Sequence, residues 1–333
     1  MPIWPSGFAP VPNEAWVDQP VEELAQKYNS VEEHGWYDNL NPIVDRLAGT
    51  VAEGERFVDY SGGTGILISR LFERVGEKRI GALVADSSPK FLRLAYERFK
   101  NDGRVAYRRL HYLKNEKRLQ KLDEVVGAAV LRRGFDALVS TNAIHLYFAL
   151  DETLNSWRNS LRKRGRVYIQ SGNIVNPNAP GHCWIIDNTV EEIDALAKII
   201  VQEDPEFADA RRFLKSQDYL DAHKTLQGKY FLKPRPVSTY TDALERAGLY
   251  VTSTSFKSFK AQVSNWHRFL AVYHEGVAGW VGGAAKITGE EAEPHWVEMR
   301  KALIGASLNR LFEGRDTFDT VWTYIDAVRR MED

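Results

Sequence analysis

Residues 57–68 read FVDYSGGTGILI, in which an apolar strand runs directly into a glycine-rich turn and then into an apolar, helix-like run. Gly62, Gly63 and Gly65 allow the backbone to turn tightly or to approach a ligand closely. In an α/β sheet, the turn after a strand's carboxyl end is where ligands bind. This stretch therefore predicts the type of fold and the place of a site together.

The residues on both sides of this turn alternate between strand-like and helix-like segments. Strands are expected at 56–60, 80–85, 104–110, 135–141 and 166–171, with helical segments between them. Ser88 and Pro89 form a strong helix start, as cap and first helical residue. Alternation of this kind predicts an α/β fold with a doubly wound, mostly parallel sheet.

The alternation stops at residue 173, and a mostly helical insertion is expected at 174–237. Thr189 and Glu192 have the spacing of a capping box, and Asp204-Pro205 is a second helix start. The segments 249–259 and 265–275 are separated by too few residues for a helix, so they are expected to pair as an antiparallel hairpin. The tail at 293–331 is expected to form two amphipathic helices, which contain Trp296 and Trp322.

The glycine turn allows four interpretations, which the neighbouring residues separate. A nicotinamide or flavin site needs G-x-G-x-x-G, but Ile68 stands at the third position. A phosphate loop needs Gly-Lys followed by Ser or Thr, and the chain has no such sequence. An empty structural turn, with Asp86 as a simple helix cap, remains open, as does a site for another nucleoside cofactor.

The pattern acidic-x-x-x-Gly-x-Gly fits, with Asp59 at its start and Asp86 at the end of the second strand. VDYSGGTG, ADSSPKFL, FDALVSTNAIHLY and LRKRGRVYIQ follow in this order, and with them the chain resembles the class I S-adenosylmethionine-dependent methyltransferases. The resemblance covers roughly residues 22–173 and, more loosely, 238–275. It implies a seven-stranded, Rossmann-like sheet that ends in an antiparallel hairpin, with helical lids added. The implied segments are an N-terminal lid (1–50), a core (51–173), a lid insertion (174–237), the end of the sheet (238–275) and C-terminal helices (276–333).

The resemblance also implies S-adenosylmethionine as cofactor, S-adenosylhomocysteine as product, and a set of site residues. Asp59 would help to hold the cofactor's ammonium group, and Asp86 would accept hydrogen bonds from both ribose hydroxyls. Ser61 replaces the first glycine of the family pattern, so its backbone must avoid the left-handed region or tolerate it at a cost. The implied cofactor-binding residues are Asp59, Ser61, Gly62, Gly63, Gly65, Asp86, Ser87, Tyr28, Tyr37 and Asn142.

The loop after the fourth strand is expected to face the reacting methyl group. Asn142 is a candidate for a polar contact to the reacting atom, and His145 is a candidate base, with a structural histidine as the alternative. A base is needed only where the acceptor must lose a proton. Each lid also supplies candidate pocket residues, with core packing as the alternative for the first three: Tyr28, Trp36 and Tyr37, then His182, Trp184, Tyr230 and Tyr240.

Composition excludes several classes of function. The formal net charge is −1, with 44 Lys and Arg against 45 Asp and Glu, so nucleic acid is not an expected partner. No apolar run has the length of a membrane span, and the N-terminus does not resemble a secretory signal. The scattered histidines and the single Cys183 give no metal site. We expect a cytoplasmic protein whose C-terminal helices either cover the core or form a homodimer contact.

The function expected from the resemblance is methyl transfer to an oxygen, nitrogen or carbon nucleophile of a small molecule in an enclosed pocket. One alternative keeps the cofactor but has no external acceptor: intramolecular cyclisation gives azetidine-2-carboxylate and methylthioadenosine. A second alternative is a non-catalytic protein that binds the cofactor. The sequence does not choose among them.

Overall fold

A computed structural model describes residues 3–21, 35–285, 289–290 and 292–331. Its centre is a seven-stranded sheet with the strand order β3-β2-β1-β4-β5-β7-β6. The strands β1–β5 are mutually parallel, and β7 runs antiparallel between β5 and β6. The strands, in chain order, are β1 Arg56–Tyr60, β2 Gly81–Asp86, β3 Val105–Arg109, β4 Phe135–Thr141, β5 Leu161–Ser171, β6 Leu249–Gln262 and β7 Thr317–Arg329.

This order confirms the predicted fold class, a Rossmann-like sheet with an antiparallel pair at one edge. Helices connect the parallel strands, as the alternation predicted. α1 Asn41–Thr50 precedes β1, and the connecting helices are α2 Ile66–Val75, α3 Pro89–Phe99, α4 Leu122–Val125, α5 Ala128–Leu131 and α6 Leu150–Ser160. Ser88 caps α3 by accepting a hydrogen bond from the Phe91 amide at 3.3 Å.

The sheet is covered on both faces, which explains the continuous apolar sequence of its strands. In β2, Ala82 and Val84 pack into one core cluster, whereas Leu83 and Ala85 pack into the other. The insertion and the tail add a third cluster, in which Phe213 packs edge-on against Trp296 with ring centroids 4.9 Å apart.

The prediction for the end of the chain is wrong in two elements. Residues 265–275 are helical, in α10 Val263–Val272 and α11 His274–Ala278, and the second tail helix is the strand β7. β6 therefore pairs with β7 and not with 265–275. Because β7 lies between two strands and is buried on both faces, it lacks the alternation that marks a half-buried strand.

The insertion is mostly helical, as predicted, and its two ends pair as short strands, Ile174–Val175 with Arg235–Pro236. Its helices, and those that follow it, are α7 Asn188–Glu203, the 3₁₀ helix Pro205–Lys215, α8 Gln217–Tyr230, α9 Val237–Arg246 and, in the tail, α12 Pro294–Leu311. The predicted capping box is wrong, because Thr189 already lies in the first turn of α7 and its hydroxyl donates to the Ile186 carbonyl at 2.7 Å. Asp204 does cap the 3₁₀ helix, by accepting from the Glu206 amide at 2.9 Å.

The N-terminal arm lies along β3, the strand at the other edge of the sheet. The Tyr107 amide donates to the Pro10 carbonyl at 2.9 Å, and Trp16 is buried against Tyr96 and Tyr107. This arm covers strand edge that would otherwise be open to pairing. Tyr28, with the rest of residues 22–34 of the predicted N-terminal lid, lies outside the described residues.

Candidate active site

The glycine turn lies at the carboxyl end of β1 and faces a cavity of about 250 Å³, which we call the loop cavity. Its walls come from the turn, from the residues after β2 and from the start of the loop after β4. The lining residues are Tyr37, Leu40, Ser61, Gly62, Gly63, Thr64, Ile66, Leu67, Asp86, Ser87, Ser88, Phe91, Thr141, Asn142, Ala143 and Leu146. Seven of the predicted cofactor-binding residues are among them: Tyr37, Ser61, Gly62, Gly63, Asp86, Ser87 and Asn142. Gly65 does not line the cavity, although its neighbours Thr64 and Ile66 do.

The glycines of the turn meet different steric demands. A Cβ on Gly62 would lie 2.8 Å from the Asp59 carboxyl carbon, and a Cβ on Gly65 would lie 2.6 Å from a ring carbon of Phe99. Gly63 and Gly65 both have left-handed backbone, with φ of 56° and 78°. A Cβ on Gly63 would meet no atom of the described residues within 4 Å. Gly62 and Gly65 are therefore required by packing, whereas Gly63 faces open space.

Asp86 joins the end of β2 to the glycine turn. Its Oδ2 accepts from the Gly63 amide at 2.9 Å, and its Oδ1 accepts from the Ser88 amide at 2.8 Å. Burial raises the pKa of Asp86, and these backbone hydrogen bonds act in the opposite direction. A carboxylate offers about four acceptor positions, so each oxygen keeps one position for a further donor.

Asp59 lies beneath the turn and does not line the loop cavity. Both of its carboxyl oxygens are buried, and within the described part of the chain neither has a hydrogen-bond partner. Burial, with a smaller contribution from the charge of Asp86, raises the pKa of Asp59 to about 7. Asp59 is therefore separated from the cavity by the turn, and its expected help in holding the cofactor's ammonium group stays a prediction.

Ser61 adopts the left-handed backbone that the sequence left open, with φ of 59°. Its hydroxyl shares a hydrogen bond of 2.9 Å with the Tyr147 hydroxyl, which shares another of 2.9 Å with Ser140. The Ser61 amide donates to the Ala85 carbonyl at 2.7 Å. These contacts hold the strained residue in place at the cavity wall.

A second and larger cavity, of about 390 Å³, lies next to the loop cavity, and we call it the aromatic cavity. The two share Tyr37, Phe91, Asn142 and Leu146 as lining residues. The rest of its lining comes from the loop after β4, the residues after β5, the insertion, α10 with the residue after it, and β7: His145, Gly172, Asn173, Ile186, Asp187, Lys229, Tyr230, Phe231, Trp266, Phe269, Tyr273 and Trp322.

Asn142 lies where the two cavities meet. It also has left-handed backbone, with φ of 53°. Its backbone N–H donates to the Gln170 backbone carbonyl at 2.8 Å, and its side-chain Oδ1 accepts from the Trp322 indole N–H at 2.8 Å. Its Nδ2 is 3.4 Å from the Asn39 Oδ1. Strained backbone held by such a network is a common feature of functional sites.

His145 lines the aromatic cavity but not the loop cavity. Its Nδ1 shares a hydrogen bond of 2.9 Å with the Ser171 hydroxyl. Burial, with the nearby charge of Arg235, lowers the pKa of His145 to about 4. The imidazole is therefore neutral at pH 7.

Of the four pocket residues predicted for the insertion, one lines the aromatic cavity. Tyr230 lines the aromatic cavity, whereas His182, Trp184 and Tyr240 do not. Trp184 pairs with β7 through its backbone, and Tyr240 is buried and bonded to Arg235 at 3.2 Å. The aromatic wall was missed because the segments of α10 and β7 were each assigned to the wrong element type, and Asp187 was missed because no motif marks it.

The structure was also examined for metal-binding clusters and for membrane-spanning helices. The described residues contain no group of three or more His, Cys, Asp and Glu side chains placed to hold a metal ion. In the same part of the chain, no helix is long and apolar enough to cross a membrane.

Comparison with protein-family models gives no match, and comparison with curated proteins gives none either. Solved structures do match. The YcgJ protein of Bacillus subtilis is 13% identical with a TM-score of 0.49, over 89% of this chain and 99% of that one. The (4+2)-cyclase SpnF is 13% identical with a TM-score of 0.49, over 92% and 93% of the two chains. A geranyl diphosphate methyltransferase, solved with GPP and sinefungin, is 13% identical with a TM-score of 0.44, over 88% and 78%.

The fold is that of the class I methyltransferases. The strand order and the antiparallel β7 carry this statement. The likeness to the three solved structures, at such low identity and TM-score, does not extend to their sites. Function has to be argued from the two cavities themselves.

Proposed function

We propose that this protein is an S-adenosylmethionine-dependent methyltransferase that acts on an oxygen, nitrogen or carbon nucleophile of a small molecule. The observation that carries the proposal is the pair of adjoining cavities with Asn142 at their junction. One cavity has the walls of a nucleoside site, and the other has the apolar walls of a site for an organic molecule.

The residues of the loop cavity fit the cofactor. Asp86 keeps acceptor positions for two ribose hydroxyls, while its backbone contacts to Gly63 and Ser88 fix the carboxylate. The open space above Gly63 lets a ligand approach the backbone. Ile66 and Leu67, at the start of α2, line the cavity, and a helix start favours a carboxylate. When bound, S-adenosylmethionine supplies an electrophilic methyl group on a positively charged sulfur.

The remaining predicted residues take supporting roles in this proposal. Tyr37 lies at the junction of the cavities and offers an aromatic face to a sulfonium cation. Ser61 and Ser87 contribute to the wall of the loop cavity. We assign Asp59 to the support of the turn beneath Gly62, because its oxygens are buried under the loop.

Asn142 and His145 serve the acceptor side. Asn142 positions groups at the junction, where transfer depends mainly on alignment of the reactants. His145 is uncharged at neutral pH, so its imidazole is in the form that accepts a proton. It would matter for a hydroxyl or ammonium acceptor and not for an acceptor that needs no deprotonation.

Trp296 and Trp322 bear on the question of assembly. Both are buried within the chain, at 7% and 1% exposure. These two side chains cover the core, so neither supplies the contact of the homodimer considered from the sequence.

Product analysis tests the proposal. The protein is incubated with S-adenosylmethionine, with and without a panel of small amines, phenols and carbon acids. We expect S-adenosylhomocysteine to form only with an acceptor, and the Asp86→Ala variant to form much less at limiting cofactor. Methylthioadenosine formed without any acceptor would instead indicate cyclisation and would contradict methyl transfer.

A further inference from the structure

The aromatic cavity contains a connected set of rings. Trp266 stacks on Phe269 with ring centroids 5.1 Å apart, Phe269 contacts Tyr273 at 4.9 Å, and Tyr273 contacts Tyr230 at 5.8 Å. All four line the cavity, with Trp322 on the β7 side. Aromatic faces attract cations as well as apolar groups. This wall alone therefore suits either a neutral apolar ligand or an organic cation.

One carboxyl group lines the same cavity. Asp187 stands between the buried Ile186 and the start of α7, at the position of the helix cap. Its side chain nevertheless makes no capping hydrogen bond to the helix. The carboxyl is therefore not used by the structural role that its position in the sequence suggests, and it remains available to the cavity.

Within the part of the chain that the structure describes, no ion pair is formed by the Asp187 carboxyl, and no neighbouring charge contributes to its pKa. Burial raises the pKa of its carboxyl to about 7, and burial is the whole cause of the shift. His145, which lines the same cavity, is uncharged at neutral pH because its pKa is lowered to about 4. Lys229 lines the cavity with an exposed side chain. A carboxylate in an apolar site is costly unless a cation pairs with it.

We propose that the aromatic cavity binds a small organic ammonium compound with an apolar body, and that the Asp187 carboxylate is the partner of its charge. The proposal rests on the proposed function, since it names the class of acceptor for the same site. Asp187 is then a specificity-determining residue. The rings of Trp266 and Tyr273 bind the apolar body and the face of the cation together. The volume of about 390 Å³ lies at the small end of ligand pockets.

The test compares two probes of nearly equal shape, 2-phenylethylammonium and 2-phenylethanol. Binding of each is measured by calorimetry at pH 8, where the Asp187 carboxyl is ionised, to protein saturated with S-adenosylhomocysteine. We expect the ammonium probe to bind the wild-type protein at least tenfold more tightly than the alcohol. Equal affinity for the two probes would overturn the proposal without any variant.

Asp187→Asn is the decisive variant, and Asp209→Asn is its control, since Asp209 is an exposed acid of the same insertion. We expect Asp187→Asn to lower the affinity for the ammonium probe about tenfold or more and to change the affinity for the alcohol by less than about twofold. The control is expected to change neither. Unchanged ammonium affinity in Asp187→Asn would refute the assignment.

A titration with S-adenosylhomocysteine alone separates this proposal from the proposed function. We expect the wild type and Asp187→Asn to bind it equally, because Asp187 does not line the loop cavity. If the wild-type protein does not bind S-adenosylhomocysteine, the proposed function is refuted. Intact binding of it, with no preference for the ammonium probe, would refute the ammonium site alone.

Discussion

The loop cavity and the aromatic cavity are built in different ways. The walls of the loop cavity come largely from two short segments, the glycine turn after β1 and the residues after β2, and much of their chemistry is backbone. The walls of the aromatic cavity are side chains from the insertion, α10 and β7, far apart in the sequence. The first cavity therefore depends on local backbone geometry, and the second depends on how distant segments pack.

The largest effect is expected from Gly65→Ala, which changes the backbone geometry on which the loop cavity depends. The substitution puts a Cβ at left-handed φ and at 2.6 Å from the Phe99 ring. Strain and overpacking together should lower the free energy of unfolding by about 2–5 kcal/mol. Gly63→Ala is the matched control, with left-handed φ but open space, and should cost about 1–2 kcal/mol. Urea unfolding measures both, and equal losses would show that packing at Gly65 is not what the turn depends on.

The next largest effects are expected on binding of S-adenosylhomocysteine in the loop cavity and on the rate of transfer at its junction with the aromatic cavity. Asp86→Ala removes the predicted acceptor of the ribose hydroxyls and should weaken S-adenosylhomocysteine binding by about 1–3 kcal/mol. Asn142→Ala, at the junction, should lower the rate of transfer more than it lowers the affinity for S-adenosylhomocysteine. Calorimetry and initial rates distinguish the two variants. Unchanged affinity in Asp86→Ala would remove Asp86 from the cofactor site.

Much of the loop cavity could be predicted from the sequence, because its residues are close along the chain. Gly62, Gly63 and Asp86, which the resemblance implies as cofactor-binding residues, line this cavity, whereas Asp59 and Gly65 lie behind its wall. The sequence around Ser61 does not show whether its backbone is left-handed, because the Tyr147 hydroxyl that holds this residue lies 86 residues further along the chain.

The aromatic cavity could not be predicted in the same way. Trp266, Phe269 and Tyr273 have helical spacing, but the sequence interpretation took residues 265–275 as the second strand of a hairpin, since few residues separate them from the preceding strand. Trp322 was placed on a helix, because burial on both faces of β7 hides the period of a strand. Asp187 has no motif around it, so only the folded chain shows that it lines the same cavity as the rings.

A smaller effect concerns pH and the buried Asp59. Its folded pKa of about 7 lies above the ordinary value near 3.8, so the folded protein binds a proton that the unfolded chain releases. The contribution of Asp59 to stability is therefore lost as pH rises from about 4 to about 7. Asp59→Asn should raise the Tm at pH 8 by a few degrees and leave it nearly unchanged at pH 4. A Tm difference that does not depend on pH would show that folding does not raise the pKa of Asp59.

The smallest effect is expected at Ser61. Ser61→Ala keeps the strain of the left-handed backbone and loses the hydrogen bond to Tyr147, so it should cost about 0.5–1.5 kcal/mol. Ser61→Gly loses the same hydrogen bond but relieves the strain, so it should lie closer to the wild type. Urea unfolding gives the order of the three proteins. A glycine variant less stable than the alanine variant would show that backbone strain is not the relevant cost.

Calorimetric titration of the wild-type protein with S-adenosylhomocysteine tests most directly whether the loop cavity is a cofactor site. We predict saturable one-to-one binding that Asp86→Ala weakens and Asp187→Asn leaves unchanged. No binding at millimolar S-adenosylhomocysteine would contradict the assignment of the loop cavity and, with it, both forms of catalysis that use this cofactor.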